Sequence, residues 1–433
     1  MLDINFIREN IDILKKAVTD KGINLNVDEL LTVDKKRKEL LAKVEDLRRQ
    51  RNETAQKRDI EKGKEIKDEL NGLENELKEI ENQFNQLMVL VPTIPAEDTP
   101  KGNSDKDNVG IYQWGEKPTF DFQPKTHIVL GKELDILDFE RGAKVGGYRG
   151  YYMKNEGVML QMGIMMYALS KMITKGYKPM IPPTLIKEFA LFGSGYFKGS
   201  HYNPQTDEIY QVSSPDKEAN GEISSERKFL IGTAEPSLLA YYSGEVLKKE
   251  DLPMRLCGFS QCYRSEIGSY GKETKGLFRV HEFMKVEQVV LSSADVELSD
   301  KLQQEMVEIT KEMHEELGLP YRVIRICLGD LSAGKYKQFD YEAWMPGLDR
   351  YGETGSASNF FDWQSRRLDV KYEGENKEKK YVYMLNNTAL PTPRIIIAIL
   401  ENFQQKDGSV KIPKALQKYT GFAEIKPKQT RVI

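Results

Sequence analysis

Cys262-Tyr-Arg-Ser-Glu-Ile-Gly-Ser-Tyr-Gly-Lys-Glu-Thr-Lys-Gly-Leu-Phe-Arg-Val-His-Glu-Phe-Met-Lys-Val-Glu287 is the stretch on which the reading of the fold turns. It predicts a strand, a glycine-rich loop and a second strand. In the second strand Phe278, Val280, Met284, Val286 and Val290 alternate on one apolar face, the pattern of a half-buried antiparallel strand. Arg279, His281, Phe283, Lys285 and Glu287 take the other face. At about 3.4 Å per residue, groups at four-residue steps along such a face span roughly 27 Å, which suits an extended ligand with anionic, planar and cationic parts. Arg264 and Arg279 could bracket a phosphate while Phe283 stacks on a base. A surface hairpin with charged cross-strand pairs explains any one of these residues equally well, so taken singly they leave both readings open.

The chain around this stretch has 433 residues, enough for two or three domains. Hydrophobic residues at 39% and charged residues at 30% rule out disorder throughout. The 64 Lys+Arg against 67 Asp+Glu give a net charge of -3, so any nucleic-acid binding must rest on a local basic patch. Three cysteines exclude a disulfide scaffold and fit a reducing compartment, so a cytoplasmic location is expected. Charges interrupt the apolar residues of the N-terminus, MLDINFIRENIDILKK, which excludes a secretory signal. No run of about 18 apolar residues predicts a membrane span. Cys257 and Cys262 stand in C-x4-C spacing with only Cys327 remaining and no close histidine pair, so no zinc is expected.

The first hundred residues differ in kind. From Asp28 to Val91 there is no proline, and Leu30, Val33, Arg37, Leu40, Val44 and Leu47 step by three and four. Ile66, Leu70, Leu73, Leu77, Ile80, Phe84 and Leu87 do the same, so both runs read as coiled-coil seams. Pairing Leu40 with Phe84, Val44 with Ile80 and Leu47 with Leu77 gives numbers that sum to 124, a hairpin turning at Lys62-Gly63-Lys64. Each helix would be about 45 Å long, so the arm is expected to project into solvent. Basic residues load the first helix (Lys35, Lys36, Arg37, Lys38, Lys43, Arg48, Arg49, Arg51, Lys57, Arg58) and acidic ones the second (Glu69, Glu74, Glu76, Glu79, Glu81). Two readings stay open: a solvated coil with cross-helix ion pairs, or a basic helix that follows a phosphate backbone. Pro92 and Pro95 end the second helix. The expected division is an arm at 1–98, a linker at 99–108 and a mixed domain at 109–433. Within the latter, Met159, Met162, Met166, Leu169 and Met172 predict a helix over Gly157 to Thr174 whose stripe is a packed interface.

The segment from Cys262 to Glu287 resembles motif 2 of the class II aminoacyl-tRNA synthetases, and the whole chain resembles the seryl-tRNA synthetase family. Thr233-Ala234-Glu235 resembles its serine-site tripeptide, Arg264-Ser265-Glu266 its motif 2 Arg-x-Glu, and Glu353-Thr354-Gly355-Ser356 its ATP and magnesium segment. Leu385-Asn386-Asn387-Thr388 through Arg394 and the apolar helix after it resemble motif 3, and Gly157 to Thr174 with Pro182 and Pro183 resembles motif 1, the dimer element. The resemblance implies an α+β fold: an antiparallel sheet flanked by helices, with an N-terminal antiparallel coiled-coil arm. It implies an ATP-dependent ligase that forms seryl-adenylate and passes serine to the 3′ end of tRNA-Ser, with selenocysteine tRNA as a further candidate, and that works as a homodimer.

Residue roles follow from the same resemblance. Arg264, Glu353 and Arg394 would be catalytic. Arg264 would contact the α-phosphate and the serine carboxylate, Arg279 and Arg394 the β/γ-phosphates, and Glu353 with Ser356 would hold Mg²⁺. Phe283 would stack on adenine with Glu266 near its amino group, and Ser265, Val280, Thr354 and Gly355 would complete the ATP site. Thr233, Ala234 and Glu235, with Arg264, Glu287, Asn386 and Thr388, would bind serine. The motif 2 loop, Gly268 to Gly276, would bring Lys272 and Lys275 to the acceptor stem, and the arm would grip the long variable arm of tRNA-Ser. The family usually has a branched aliphatic and a second serine where this chain has Thr354-Gly355, and small residues where it has Pro391 and Pro393. Proline is tolerated in a first helical turn, so Pro393 is compatible with a helix starting there. Two competing readings are an amino acid:carrier protein ligase, which would lack a tRNA grip, and a non-catalytic relative, which would have lost one of the charged residues.

Overall fold

The computed structural model describes residues 2–57, 59–197, 199, 201–214, 216–267 and 275–427. Contacts divide the chain into two units, Met1–Ile94 and Pro95–Ile433. The first is helical: α1 (Ile4–Glu9), α2 (Ile11–Asp20), α3 (Val27–Lys57) and α4 (Ile60–Leu90). Ile7, Leu14, Leu30, Met88 and Val91 form one apolar cluster, and Leu40, Val44, Leu47, Ile66, Leu70, Leu77 and Ile80 form a second along the α3–α4 seam. Arg37, in the seam pattern, lays its guanidinium 4.3 Å from the centroid of Phe84 and bonds buried Asp34 at 3.1 Å.

The hairpin turns earlier than the seams alone suggest. Asp59 is the N-cap of α4 and accepts from the Lys62 backbone N–H at 3.1 Å, so Lys62-Gly63-Lys64 lies inside the helix. Gly63 sits across from Thr54, whose Cγ2 would be 3.9 Å from a Cβ added there. Those two numbers sum to 117 in place of 124, a displacement of one heptad. A heptad seam matches itself when slid by seven residues, so its periodicity could not choose between the registers. The carboxylate cap could, because it satisfies backbone donors that a mid-helix glycine does not.

The second unit is built on an eight-stranded sheet of β1 (Val109–Trp114), β2 (Lys178–Met180), β3 (Met254–Tyr263), β4 (Glu282–Ser292), β5 (Tyr321–Arg325), β6 (Lys337–Met345), β7 (Arg350–Asn359) and β8 (Tyr383–Pro391). Their order is β1-β5-β6-β7-β8-β4-β3-β2, antiparallel except for β2 with β3. The expected antiparallel sheet flanked by helices is found. Helices α5 (Glu156–Thr174), α7 (Val296–Glu316) and α8 (Thr392–Asn402) cover it, and α6 (Glu235–Ala240) lies near its β3 side. Val286, Val290, Leu385, Leu390 and the Ile395–Leu400 run of α8 form the main core with Leu160, Ile164 and Met172 of α5. No helix among the described residues is long and apolar enough to cross a membrane.

Residues 95–98 and the stretch read as a linker, 99–108, belong to the second unit. The Leu328 and Gly329 N–H groups donate to the Pro100 and Gly102 carbonyls at 3.0 and 2.9 Å, and Cys327 Sγ bonds the Ser104 carbonyl at 3.2 Å. The methionine stripe of α5 divides differently from its pattern. Leu160, Ile164, Tyr167, Ala168 and Met172 are buried, whereas Met159 and Met166, each 46% exposed, and Ile173, 50% exposed, are open to solvent.

Candidate active site

The two strands of the 262–287 segment are offset from their pattern. β3 stops at Tyr263, and β4 begins only at Glu282, so Phe278, Arg279 and Val280 lie in the turn before it, not on the strand. The pairing nonetheless continues past the strand end: the Arg264 N–H donates to the His281 carbonyl at 3.0 Å, and His281 Nδ1 donates to the Arg264 carbonyl at 2.8 Å. Glu266 then takes φ 53°, the left-handed region that a non-glycine residue enters at a cost. Its buried carboxylate is held there by Arg279 Nη1 at 3.0 Å and Arg149 Nη1 at 3.5 Å. Gly268 to Thr274 of the glycine-rich loop, with Lys272, lie outside the described residues; Lys275 and Gly276 lie just inside.

Arg264, Glu266, Arg279, Val280, Phe283, Glu353, Thr354, Gly355 and Arg394 line one cavity of about 500 Å³ including its mouth, with Lys285 and Thr388 at its inner side. The Arg264 guanidinium lies 5.5 Å from the Phe283 centroid and donates from Nε to the Gly232 carbonyl at 3.2 Å. Arg394 donates from Nη1 to both the carbonyl and the carboxylate of Glu353, each at 3.0 Å, and covers the Phe278 ring at 4.5 Å. Desolvation works to raise the Glu353 pKa, but Arg394 together with Arg264 and Lys335 outweighs it, and the carboxyl is held below its ordinary value. Ser265 and Ser356 do not line this cavity. The Ser265 N–H is engaged with the Glu208 carbonyl at 3.3 Å, and Ser356 Oγ accepts from Gln338 Nε2 at 3.0 Å.

Beyond Lys285 and Thr388 lies a buried polar cluster of Thr233, Glu235 and Glu287. Thr233 Oγ1 donates to Glu287 Oε2 at 2.8 Å, and Lys285 Nζ pairs with the same oxygen while reaching Thr388 Oγ1 at 3.4 Å. Glu235, in the first turn of α6, accepts from Gln364 Nε2 at 2.7 Å and Tyr196 OH at 3.3 Å. Burial, and then repulsion from Glu287, push its pKa up to about 7. Asn386 is buried and shares the β8 face of Thr388 by the two-residue strand period. Ala234 packs its methyl in the apolar core against Gly258, where an added Cβ would come within 2.8 Å of it.

Lys285, Tyr196, Gln364 and Arg149 are the residues that the motif reading missed. Alternation already put Lys285 on the face of Glu287, and that two-residue spacing was the available signal. The other three reach the site from elements distant in sequence, and nothing local marks them.

The departures at 354, 355, 391 and 393 all have structural accounts. Thr354 is fully buried with its hydroxyl bonded, and a Cβ at Gly355 would meet Thr388 and Tyr341 atoms at 3.3 Å. Pro391 is the N-cap of α8 and Pro393 lies in its first turn, where no backbone donor is needed.

The oxygen donors of this site fit magnesium. In β7, Gly355 pairs with Tyr341 and Glu353 with Glu342, so Thr354 is an extra, bulged residue. Asp340, across from Ser356, is a third oxygen group on the same face, its pKa raised by burial and by Glu353. Among the described residues no three His, Cys, Asp or Glu side chains gather into a metal cage. One or two carboxylates with phosphates and waters is the usual Mg²⁺ arrangement.

This sheet, with arginines converging on a cavity at its β3–β4 and β7–β8 strands, is the core of a class II aminoacyl-tRNA synthetase, and the family model for that core (G, H, P, S and T) matches residues 216–403. The seryl-tRNA synthetase N-terminal domain matches residues 1–95. A serine–tRNA ligase of Borrelia garinii subsp. bavariensis is 42% identical over 98% of this chain and 99% of its own. A seryl-tRNA synthetase from Pyrococcus horikoshii, solved in complex with ATP, superposes with a TM-score of 0.89 at 37% identity, covering 99% of this chain and all of the other. The cytoplasmic enzyme of Naegleria fowleri, solved with AMP, gives 0.87 at 30% identity over 99% of both. The chain belongs to the seryl-tRNA synthetase family.

Proposed function

We propose that this chain is a serine–tRNA ligase that activates L-serine with ATP in the cavity between β4 and β7 and transfers it to tRNA-Ser. The observation that carries the reading is the link between two chemistries: Lys285 and Thr388, which line the arginine-rich cavity, are bonded to each other, and Lys285 pairs with Glu287 of a buried polar cluster that includes Thr233 and Glu235. The first suits a nucleoside triphosphate; the second suits a small zwitterion with a hydroxyl.

In activation a serine carboxylate oxygen attacks the α-phosphorus of ATP, the bond to the bridging oxygen breaks, and pyrophosphate leaves. Two anions must meet in line. Arg264 orients both and offsets charge that grows on the α-phosphate in the transition state. Arg279 and Arg394, positioned by the carboxylates of Glu266 and Glu353, draw off the β/γ-phosphates. Phe283 stacks on adenine, and Glu266 accepts from its amino group. Glu353 and Ser356 would hold Mg²⁺, which supplies charge neutralisation at the phosphate oxygens. Thr233 and Glu235 take the serine ammonium, and Glu287 with Thr388 the hydroxyl. No covalent nucleophile from the protein is used.

The division of labour between units follows. The helical unit, residues 1–94, binds the tRNA and the second unit, residues 95–433, carries the chemistry. Lys35, Lys38, Lys43, Arg51 and Lys57 are exposed and form no ion pair among the described residues, which supports contact with a phosphate backbone. Arg48 and Lys36, paired with Glu74 and Glu76 at 2.8 Å, instead stabilise the coil. The exposed Met159, Met166 and Ile173 of α5 support a homodimer through that face, and the enzyme acts in the cytoplasm.

ATP–pyrophosphate exchange without tRNA tests the reading. Exchange is expected with serine, and kcat/KM for alanine and glycine should be lower by about 10⁴, because a pocket built to bond a hydroxyl leaves polar groups unpaired without it. Exchange with alanine or glycine at the serine rate would indicate carrier charging, and none with any amino acid would end the reading.

The state of Glu235 adds a pH dependence. Only its ionised form holds an ammonium well, and below about pH 7 that form declines in the free enzyme. Serine KM is therefore expected to rise about tenfold per pH unit below 7. A KM that stays flat down to pH 5.5 would refute the role of Glu235.

A further inference from the structure

Glu353 and Ser356 are three residues apart on β7. In a regular strand side chains alternate, so residues three apart face opposite sides of the sheet and could not serve one ligand. The bulge at Thr354 corrects the parity. Glu353 pairs with Glu342 and Ser356 with Asp340, and because Glu342 and Asp340 share a face of β6, so do Glu353 and Ser356. A bulge that re-aims side chains beside a site must itself be held, since its extra residue has lost its place in the ladder.

What holds it comes from behind the sheet. Thr354 Oγ1 lies 2.8 Å from Nε2 of His314 on α7 and 3.3 Å from the Tyr341 carbonyl. His314 Nδ1 lies 2.8 Å from the Thr310 carbonyl. A carbonyl only accepts, so Nδ1 carries the proton and Nε2 is left as the acceptor for the Thr354 hydroxyl. The imidazole is fully buried, stacked 6.0 Å from Tyr341, and burial keeps it neutral by pushing its pKa down to about 4. Its orientation is thus fixed by a helix carbonyl, and its one free lone pair is aimed at the bulge.

We propose that His314 is a positioning residue for the ATP and metal step: by accepting from Thr354 it pins the β7 bulge and holds Glu353 and Ser356 on one face. The inference rests on the proposed ligase activity, and His314 touches neither substrate nor metal.

The test uses the full-length protein with Thr354→Val, which keeps the shape and removes the hydroxyl, and His314→Phe, which keeps a ring and removes the acceptor. Binding of Mn²⁺, as a spectroscopic probe for Mg²⁺, is measured by electron paramagnetic resonance with a non-hydrolysable ATP analogue, and serine KM is measured alongside. Each variant is expected to weaken Mn²⁺ binding about 10- to 100-fold, the usual effect of removing a group that orients a ligand. Serine KM should stay within about twofold, Thr354→Ser should restore binding, and the double variant should be no worse than the poorer single one. Unchanged Mn²⁺ affinity in either folded variant overturns the proposal, as does a loss of serine affinity equal to the loss for metal, which would mark a general structural role. Wild-type protein that shows no serine-dependent exchange would instead overturn the ligase reading.

Discussion

Arg264→Ala is expected to lower serine-dependent ATP–pyrophosphate exchange by about 10³-fold or more while leaving the unfolding midpoint within a few degrees of the parent. The kinetic estimate comes from removing a preorganised cation at the atom where charge develops; loss of one such donor costs about 10²- to 10³-fold, and Arg264 is asked to serve two anions. The small structural cost follows from how the side chain is held. Its guanidinium is half-buried, with one bond from Nε to the Gly232 carbonyl and the Phe283 ring 5.5 Å away, while the backbone of the residue is fixed independently by His281. Arg264→Lys should recover little, since a point charge cannot replace a planar fork between carboxylate and phosphate. Exchange at parental rates in Arg264→Ala would remove this residue from the mechanism. A collapse in stability with a proportionate loss of exchange would move its role from chemistry to folding.

Most of what positions Arg264 could be read from the chain, and the reasons are local. The alternation Met284, Val286, Val290 runs in an unbroken strand, and Pro393 lies in the first turn of α8 where its missing donor is harmless. The seam residues of α3 and α4 were also legible, but their register was not, since it depended on Asp59 rather than on the repeat. What escaped was whatever requires knowing which strands are neighbours. The bulge at Thr354 exists only relative to Tyr341 and Glu342, and that at Ala389 only relative to Val286 and Glu287. The grip of Arg149 on Glu266 and of Gln364 on Glu235 crosses more than a hundred residues. Sequence spacing carries period and capping; it carries no information about which face an added residue turns toward a neighbour not yet known. That is why the motifs could name Glu353 and Ser356 together without revealing that their spacing needs a bulge to bring them to one face.

Replacing residues 37–80 with a short glycine-rich turn is expected to leave serine-dependent exchange within about twofold and to reduce charging of tRNA-Ser by about 10³-fold or more. The cut falls between the two apolar clusters of the unit, and it removes the Leu40 to Ile80 seam as one self-contained cluster. The cluster of Ile7, Leu14, Leu30, Met88 and Val91 stays, so the rest of the first unit keeps its core. Every residue lining the cavity belongs to the second unit, so adenylation should not depend on the excised hairpin. The loss in charging is set on the scale by which proteins with several phosphate contacts weaken when those contacts are screened, about 10³- to 10⁵-fold. Single substitutions refine the test. Lys38→Ala, Lys43→Ala or Arg51→Ala, each at an exposed position of α3, should weaken tRNA binding and lower its salt slope by about one if that residue meets a phosphate. Charging at parental rates by the shortened protein would refute the arm's role in tRNA binding and leave the basic helix as half of an ion-paired coil. Loss of exchange together with charging would mean that the two units are coupled in the adenylation step itself.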